Sequence, residues 1–114
     1  MKYKTIMVTE DEYEQCYICK RYGQMEWHHV FGGANRINST KYGLVVPLCH
    51  NCHNEPPNGV HFNKGQRLRL QAEAQRVFES IESHEKFMQV FGRDYIEVYK
   101  DYLREENEDT EFEP

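Results

Sequence analysis

The period of the apolar positions changes twice along this 114-residue chain. "KYKTIMV" (2–8) alternates loosely and predicts a short strand or an extended arm. Thr9 and Glu12 have capping-box spacing for a helical turn across 10–15. From Cys16 to about residue 62 the apolar runs are short and broken by cysteine, glycine and proline. Here "MEWHHV" (25–30) and "GLVVPL" (43–48) predict two strands, with "FGGANRINSTKYG" (31–43) as the long loop joining them. From Asn63 the period becomes helical. Asn63 is an N-cap with Gln66 at the capping-box position, and Leu70, Ala74, Val77, Phe78 and Ile81 recur on one face. A second helix is predicted from Ser83 to Phe91, stopped by Gly92. A third lies in "DYIEVYKDYLREE" (94–106), with Tyr95, Val98, Tyr99 and Tyr102 on one face. The fold class is therefore α+β, in one small domain.

Charge alters this picture only once it is located. The net charge of −5 looks unsuited to nucleic acid, but "EENEDTEFEP" (105–114) holds six acids and no base. Without it the chain carries 14 bases against 13 acids. Between Cys16 and Arg76 eight bases face three acids, so the middle is basic and the end acidic. The acidic tail reads as solvated and mobile. No run is long and apolar enough for a membrane span, and residues 1–15 lack a signal peptide's apolar stretch, so a cytoplasmic location is expected.

In a reducing compartment four cysteines are better read as metal ligands than as disulfides. Cys16-x-x-Cys19 and Cys49-x-x-Cys52 are two knuckles, each able to offer two thiolates. Together they complete a tetrahedral structural Zn2+ site with no position left for substrate. It would anchor a segment with little apolar surface. His28, His29, His50, His53 and His61 all lie within residues 28–61, and only His84 lies elsewhere. With zinc served by cysteines, these histidines are free for a second, open site, because imidazole is both a good ligand for a divalent metal and a general base near neutral pH. In the basic middle, Arg36, Lys41 and Arg67 are candidate nucleic-acid-binding residues, and Arg36, just beyond the histidine pair, is the best placed to clamp a phosphate.

"CYIC…WHHVFGG…GLVVPLCHNCHN…VH" resembles the HNH nuclease motif in its zinc-stapled, ββα-metal form, over about residues 16–64. "AQRVFES…HEKFMQVFGRDY" also resembles the helical extension of HNH proteins encoded by phages of Gram-positive bacteria, which would place the chain in a host cytoplasm. The chain divides into an N-terminal strand or arm (1–15), then, as the resemblance implies, a nuclease core with its helix (16–82) and a helical extension (83–104), and last a disordered acidic tail (105–114). The resemblance also implies that His28 is a metal ligand, His29 the general base and His53 the next ligand. In the family the histidine pair sits where a strand gives way to a loop, so the two rings need not alternate and can share one scissile phosphate. The last ligand usually follows four residues after the position of His53. Pro57 stands there, leaving His61, or Asn54, to complete the set. The family's middle asparagine has no counterpart in "KYGLVV"; Asn35 or Asn38 would have to pin the loop.

The function so implied is metal-dependent hydrolysis of DNA phosphodiester bonds. The catalytic divalent ion would be Mg2+ or Mn2+, with Ni2+ or Zn2+ also compatible with imidazole ligands, and a homodimer through the C-terminal helices is compatible with the extension. The alternative is a non-catalytic zinc module that binds DNA or a protein partner.

Overall fold

The computed structural model describes residues 3–111. They form a mixed helix-and-strand fold: β1 (Glu26–His29), α1 (Arg36–Tyr42), β2 (Val45–Leu48), α2 (His50–Asn54), α3 (Lys64–Ile81), α4 (His84–Phe91) and α5 (Tyr95–Glu111), with 3-10 turns at Glu10–Glu12 and Gly33–Asn35. β1 and β2 are antiparallel, pairing His28 with Val46 and His29 with Val45. Every residue of β2 is buried. The start of the chain helps to cover it, for the Tyr17 N–H donates to Pro47 O (2.9 Å) and the Thr5 hydroxyl to Val45 O (2.7 Å). Residues 3–8 do not form the strand that is one of the two expected forms; they run without regular structure and bend over 6–8, held where the Ile6 N–H donates to Gly43 O (2.9 Å). No helix among the described residues is long and apolar enough to cross a membrane.

The segment between the strands is not the long loop its composition predicts, since residues 36–42 form α1. Polar side chains hold it through tertiary bonds rather than through an apolar stripe. Ser39 is fully buried; its Oγ donates to Phe31 O (2.7 Å) and accepts from the Phe31 N–H (3.0 Å). Asn35 and Asn38 donate to Phe91 O and Val90 O at the end of α4, each at 3.3 Å. The helix closes on Gly43 at φ 72°, where a Cβ would sit 3.1 Å from Ile6 N as well as being strained.

α3 begins as its sequence predicts, with Asn63 Oδ1 accepting from the Gln66 N–H (2.9 Å). Leu70, Ala74 and Phe78 enter the core, where Phe78 meets Tyr42, Phe87 and Phe91, and Phe31 meets Phe87, Phe91 and Tyr95. Phe31 and Phe87 each stand 4.7 Å from Phe91 between ring centroids. Ile81 departs from the predicted face and is 62% exposed at the end of the helix. A second stripe of α3 packs against α5: Tyr102 lies over Gly65, and Gln75 meets the start of α5, so the two helices run antiparallel. Residues 105–111 continue α5, correcting the disordered tail expected there, whereas 112–114 lie outside the described residues. Glutamate is a good helix former, and extending an existing helix is far easier than nucleating one.

Gln75, with no exposed surface, is the polar pin of this half. Its Oε1 accepts from the Tyr95 and Ile96 N–H groups (2.8 and 3.2 Å), and its Nε2 donates to Glu79 and Asp94 (2.8 and 3.0 Å). Gln75→Leu keeps much of the volume and strands these partners. It is expected to lower stability by about 3 kcal/mol in urea unfolding.

Candidate metal centres

Cys16 and Cys19 come from the turn before β1, and Cys49 and Cys52 from the start of α2. The geometry brings all four sulfurs within 4.8 Å of one another. A tetrahedral zinc with bonds of about 2.3 Å holds its sulfurs about 3.8 Å apart, and Cys19 and Cys49 Sγ are 3.8 Å apart. All four cysteines are free thiols. Burial opposes ionisation of Cys16, yet hydrogen bonds from the backbone N–H groups of Cys19, Cys49 and Ile18 bring it down to about 7. Burial and the neighbouring sulfurs push Cys52 strongly upward. One thiol poised to ionise beside sulfurs that resist further charge is an electrostatic setting that a bound cation relieves. The cluster fits a structural zinc.

A second group lies apart from the first. His28 from β1, His53 from α2 and His61 from the loop after α2 place one ring nitrogen each within 4.8 Å of the others. His53 and His61 Nε2 are 3.2 Å apart. Nitrogens about 2.1 Å from a shared metal lie about 3.0–3.5 Å apart. Burial, then the neighbouring His53 and His61, push His28 down to about 3, and burial also lowers His61. Those two rings are thereby kept in the neutral form that ligates metal. Asn54, the other candidate for the last position, puts its Nδ2 2.9 Å from Glu26 Oε1 and 3.0 Å from His53 Nδ1, the ring nitrogen that does not face His61.

His61 returns from eight residues away because residues 55–62 fold back on α2. The Gly59 N–H donates to Glu55 O (2.7 Å) and the Val60 N–H to Cys52 O (2.8 Å). A Cβ at Gly59 would stand 2.8 Å from both the backbone N and O of Glu55. Gly59→Ala must open this loop. It is expected to weaken Ni2+ binding at the histidines about tenfold in calorimetry, equivalent to about 1.4 kcal/mol, while the zinc content stays unchanged.

The histidine pair does not escape alternation at a strand end. Both residues belong to β1 and face opposite ways. Glu26 and His28 turn toward α2, whereas Trp27 and His29 turn toward the N-terminal arm, with Tyr3 edge-on to both of these rings. His29 Nε2 lies 2.9 Å from Thr40 Oγ1, which also donates to Arg36 O (3.3 Å). A hydroxyl has one proton, so when Thr40 donates it to Arg36 O, His29 Nε2–H donates to Thr40 and Nδ1 is the basic nitrogen. Burial first, and the charge of Arg36 second, lower His29.

Arg67 Nη1 donates to Val60 O (3.1 Å), next to His61, and its charge lowers His61, while the charge of Arg36 lowers His28 and His29. Lys41 stands elsewhere, in a groove of about 380 Å³ lined also by Ile6, Tyr42, Phe78 and Ile81. His50 is clasped between Glu26 (2.9 Å) and Glu55 (2.8 Å), one carboxylate on each ring nitrogen, and these raise its affinity for a proton. Glu26 and Thr40 were not picked out from sequence. Strand alternation places Glu26 on the face of His28, a signal present in "EWHH"; Thr40 sits in α1, which the pattern did not reveal.

The chain matches no protein-family model, no curated protein and no solved structure. The reading of these two centres rests on their own geometry.

Proposed function

We propose that this chain is a metal-dependent endonuclease of the HNH type that hydrolyses phosphodiester bonds in DNA. The observation that supports it most is the convergence of His28, His53 and His61 beside a separate four-cysteine cluster, with the charges of Arg36 and Arg67 acting on these histidines. The cysteines hold a structural zinc that fixes α2 against the turn before β1. His29 is the general base and takes a proton from water at Nδ1, with Thr40 holding the opposite nitrogen. Arg36 and Arg67 hold the phosphate oxygens through charge-assisted hydrogen bonds. A divalent cation held by His28, His53 and His61 would neutralise charge building on the phosphate and on the leaving 3′ oxygen. Three imidazoles without a carboxylate suit Ni2+ or Zn2+ better than the Mg2+ or Mn2+ that the sequence first brings to mind.

Thr40→Val keeps the shape and removes the hydroxyl. It is expected to slow cleavage about tenfold, the loss of one hydrogen bond of about 1.4 kcal/mol that orients the base. The measurement is single-turnover cleavage of a labelled duplex.

A second reading is a zinc module that binds DNA without cutting it. The opposite facing of His28 and His29 favours it, because Thr40 and Tyr3 give His29 a structural setting. Supercoiled plasmid incubated with the zinc-loaded protein and Ni2+, Zn2+, Mn2+, Mg2+ or EDTA separates the two. The nuclease converts plasmid to open-circle or linear DNA in at least one metal and not in EDTA. A plasmid shifted on a gel yet intact in every metal overturns the nuclease reading.

A further inference from the structure

Glu26 stands at the first position of β1 and is the only acid between Cys16 and Glu55. Its carboxylate spans the gap to α2 and receives three donors from that helix. Oε1 accepts from His53 Nδ1 (2.8 Å) and Asn54 Nδ2 (2.9 Å), and Oε2 accepts from His50 Nδ1 (2.9 Å). A glutamate carboxylate is ionised near neutral pH, so both of its oxygens are acceptors. Because Glu26 and His28 are two residues apart in one strand, β1 contributes both a member of the histidine triad and a partner for a second member on α2.

We propose that Glu26 is the positioning carboxylate of the triad, fixing the His53 ring with its proton on Nδ1 and its Nε2 lone pair turned toward His28 and His61. The assignment rests on reading these three histidines as a metal site. An ionised carboxylate at Nδ1 can only accept, so that nitrogen carries the proton and Nε2 is left free. That is the nitrogen 3.2 Å from His61 Nε2. An imidazole tethered in this way loses little freedom when it binds metal and is more basic at the ligating nitrogen. Asn54 and His50, on the same two oxygens, stop the carboxylate from rotating away. His50 lies between Cys49 and Cys52, so the same carboxylate also ties the triad to the cysteine cluster.

The test uses untagged, zinc-loaded full-length protein and needs neither DNA nor cleavage. In long-range proton–nitrogen NMR spectra, wild-type His53 is expected to be the Nδ1–H tautomer, and Glu26→Ala to show a mixture. Calorimetric titration with Ni2+ is expected to give 10- to 100-fold weaker binding in Glu26→Ala. Glu26→Gln, which keeps an acceptor of the same reach, should lose less. A purely structural role would lower the melting temperature of the variants while leaving tautomer and Ni2+ affinity as in wild type, and that result overturns the proposal. An Nε2–H tautomer in wild-type His53 overturns it without any variant. Wild-type protein that binds no Ni2+ beyond its zinc overturns the metal reading of the triad itself, an outcome distinct from equal binding by wild type and Glu26→Ala.

Discussion

Cys52→Ser protein is expected to lose its zinc and, with it, the cooperative fold of residues 16–62. Cys16 is fully buried and Cys52 nearly so, and both belong to the core around β2. The two knuckles join segments far apart in sequence, and neither segment brings enough apolar surface to hold the other. Structural zinc in small modules contributes about 10–16 kcal/mol of apparent binding energy, against a total stability of about 5–15 kcal/mol for a typical domain. Loss of one ligand of four removes enough to unfold this half at room temperature. Zinc content by mass spectrometry, together with thermal unfolding followed by circular dichroism, checks it. A variant that kept one zinc per chain and the wild-type transition would show that the cluster is not a zinc centre.

The second large effect falls on the proposed chemistry. His29→Ala is expected to reduce DNA cleavage by about 10²–10⁴-fold, the usual contribution of a positioned base, with zinc retained. His29→Gln, which keeps a group facing Thr40, should be as inactive, separating the base from the packing. The sign of the pH dependence follows from the surroundings of His29. A base must be neutral to act, and burial followed by Arg36 moves its pKa below the ordinary 6.5. Cleavage should therefore fall on acidification only below pH 6.5. Arg36→Ala removes one of the two causes and should shift that limb upward. A rate-versus-pH profile of wild type and Arg36→Ala checks it. A limb above pH 6.5 in wild type would contradict the account.

What was legible in the chain follows from the range of the interactions. The caps of α3 and α4 are local: Asn63 accepts from Gln66, and Ser83 from Lys86, within one turn. The two strands and the cysteine knuckles were equally readable, since period and spacing act over a few residues. α1 was not, because Ser39, Asn35 and Asn38 hold it through partners that lie 8, 56 and 52 residues away. The same residues in an unfolded context favour turns. At the site, the return of His61 depends on a close approach at Gly59, and the direction of His29 on a helix that the pattern had read as loop. The strand itself carried one overlooked signal: alternation in "EWHH" separates His28 from His29 and joins His28 to Glu26.

The central claim, that the histidine triad is a metal centre distinct from the zinc and required for cleavage, is tested most directly by the plasmid-cleavage rate of His53→Ala protein carrying its full zinc complement. The account predicts one zinc per chain, no second metal bound, and no cleavage in a metal that supports the wild type. Cleavage at the wild-type rate by that zinc-loaded variant would contradict it.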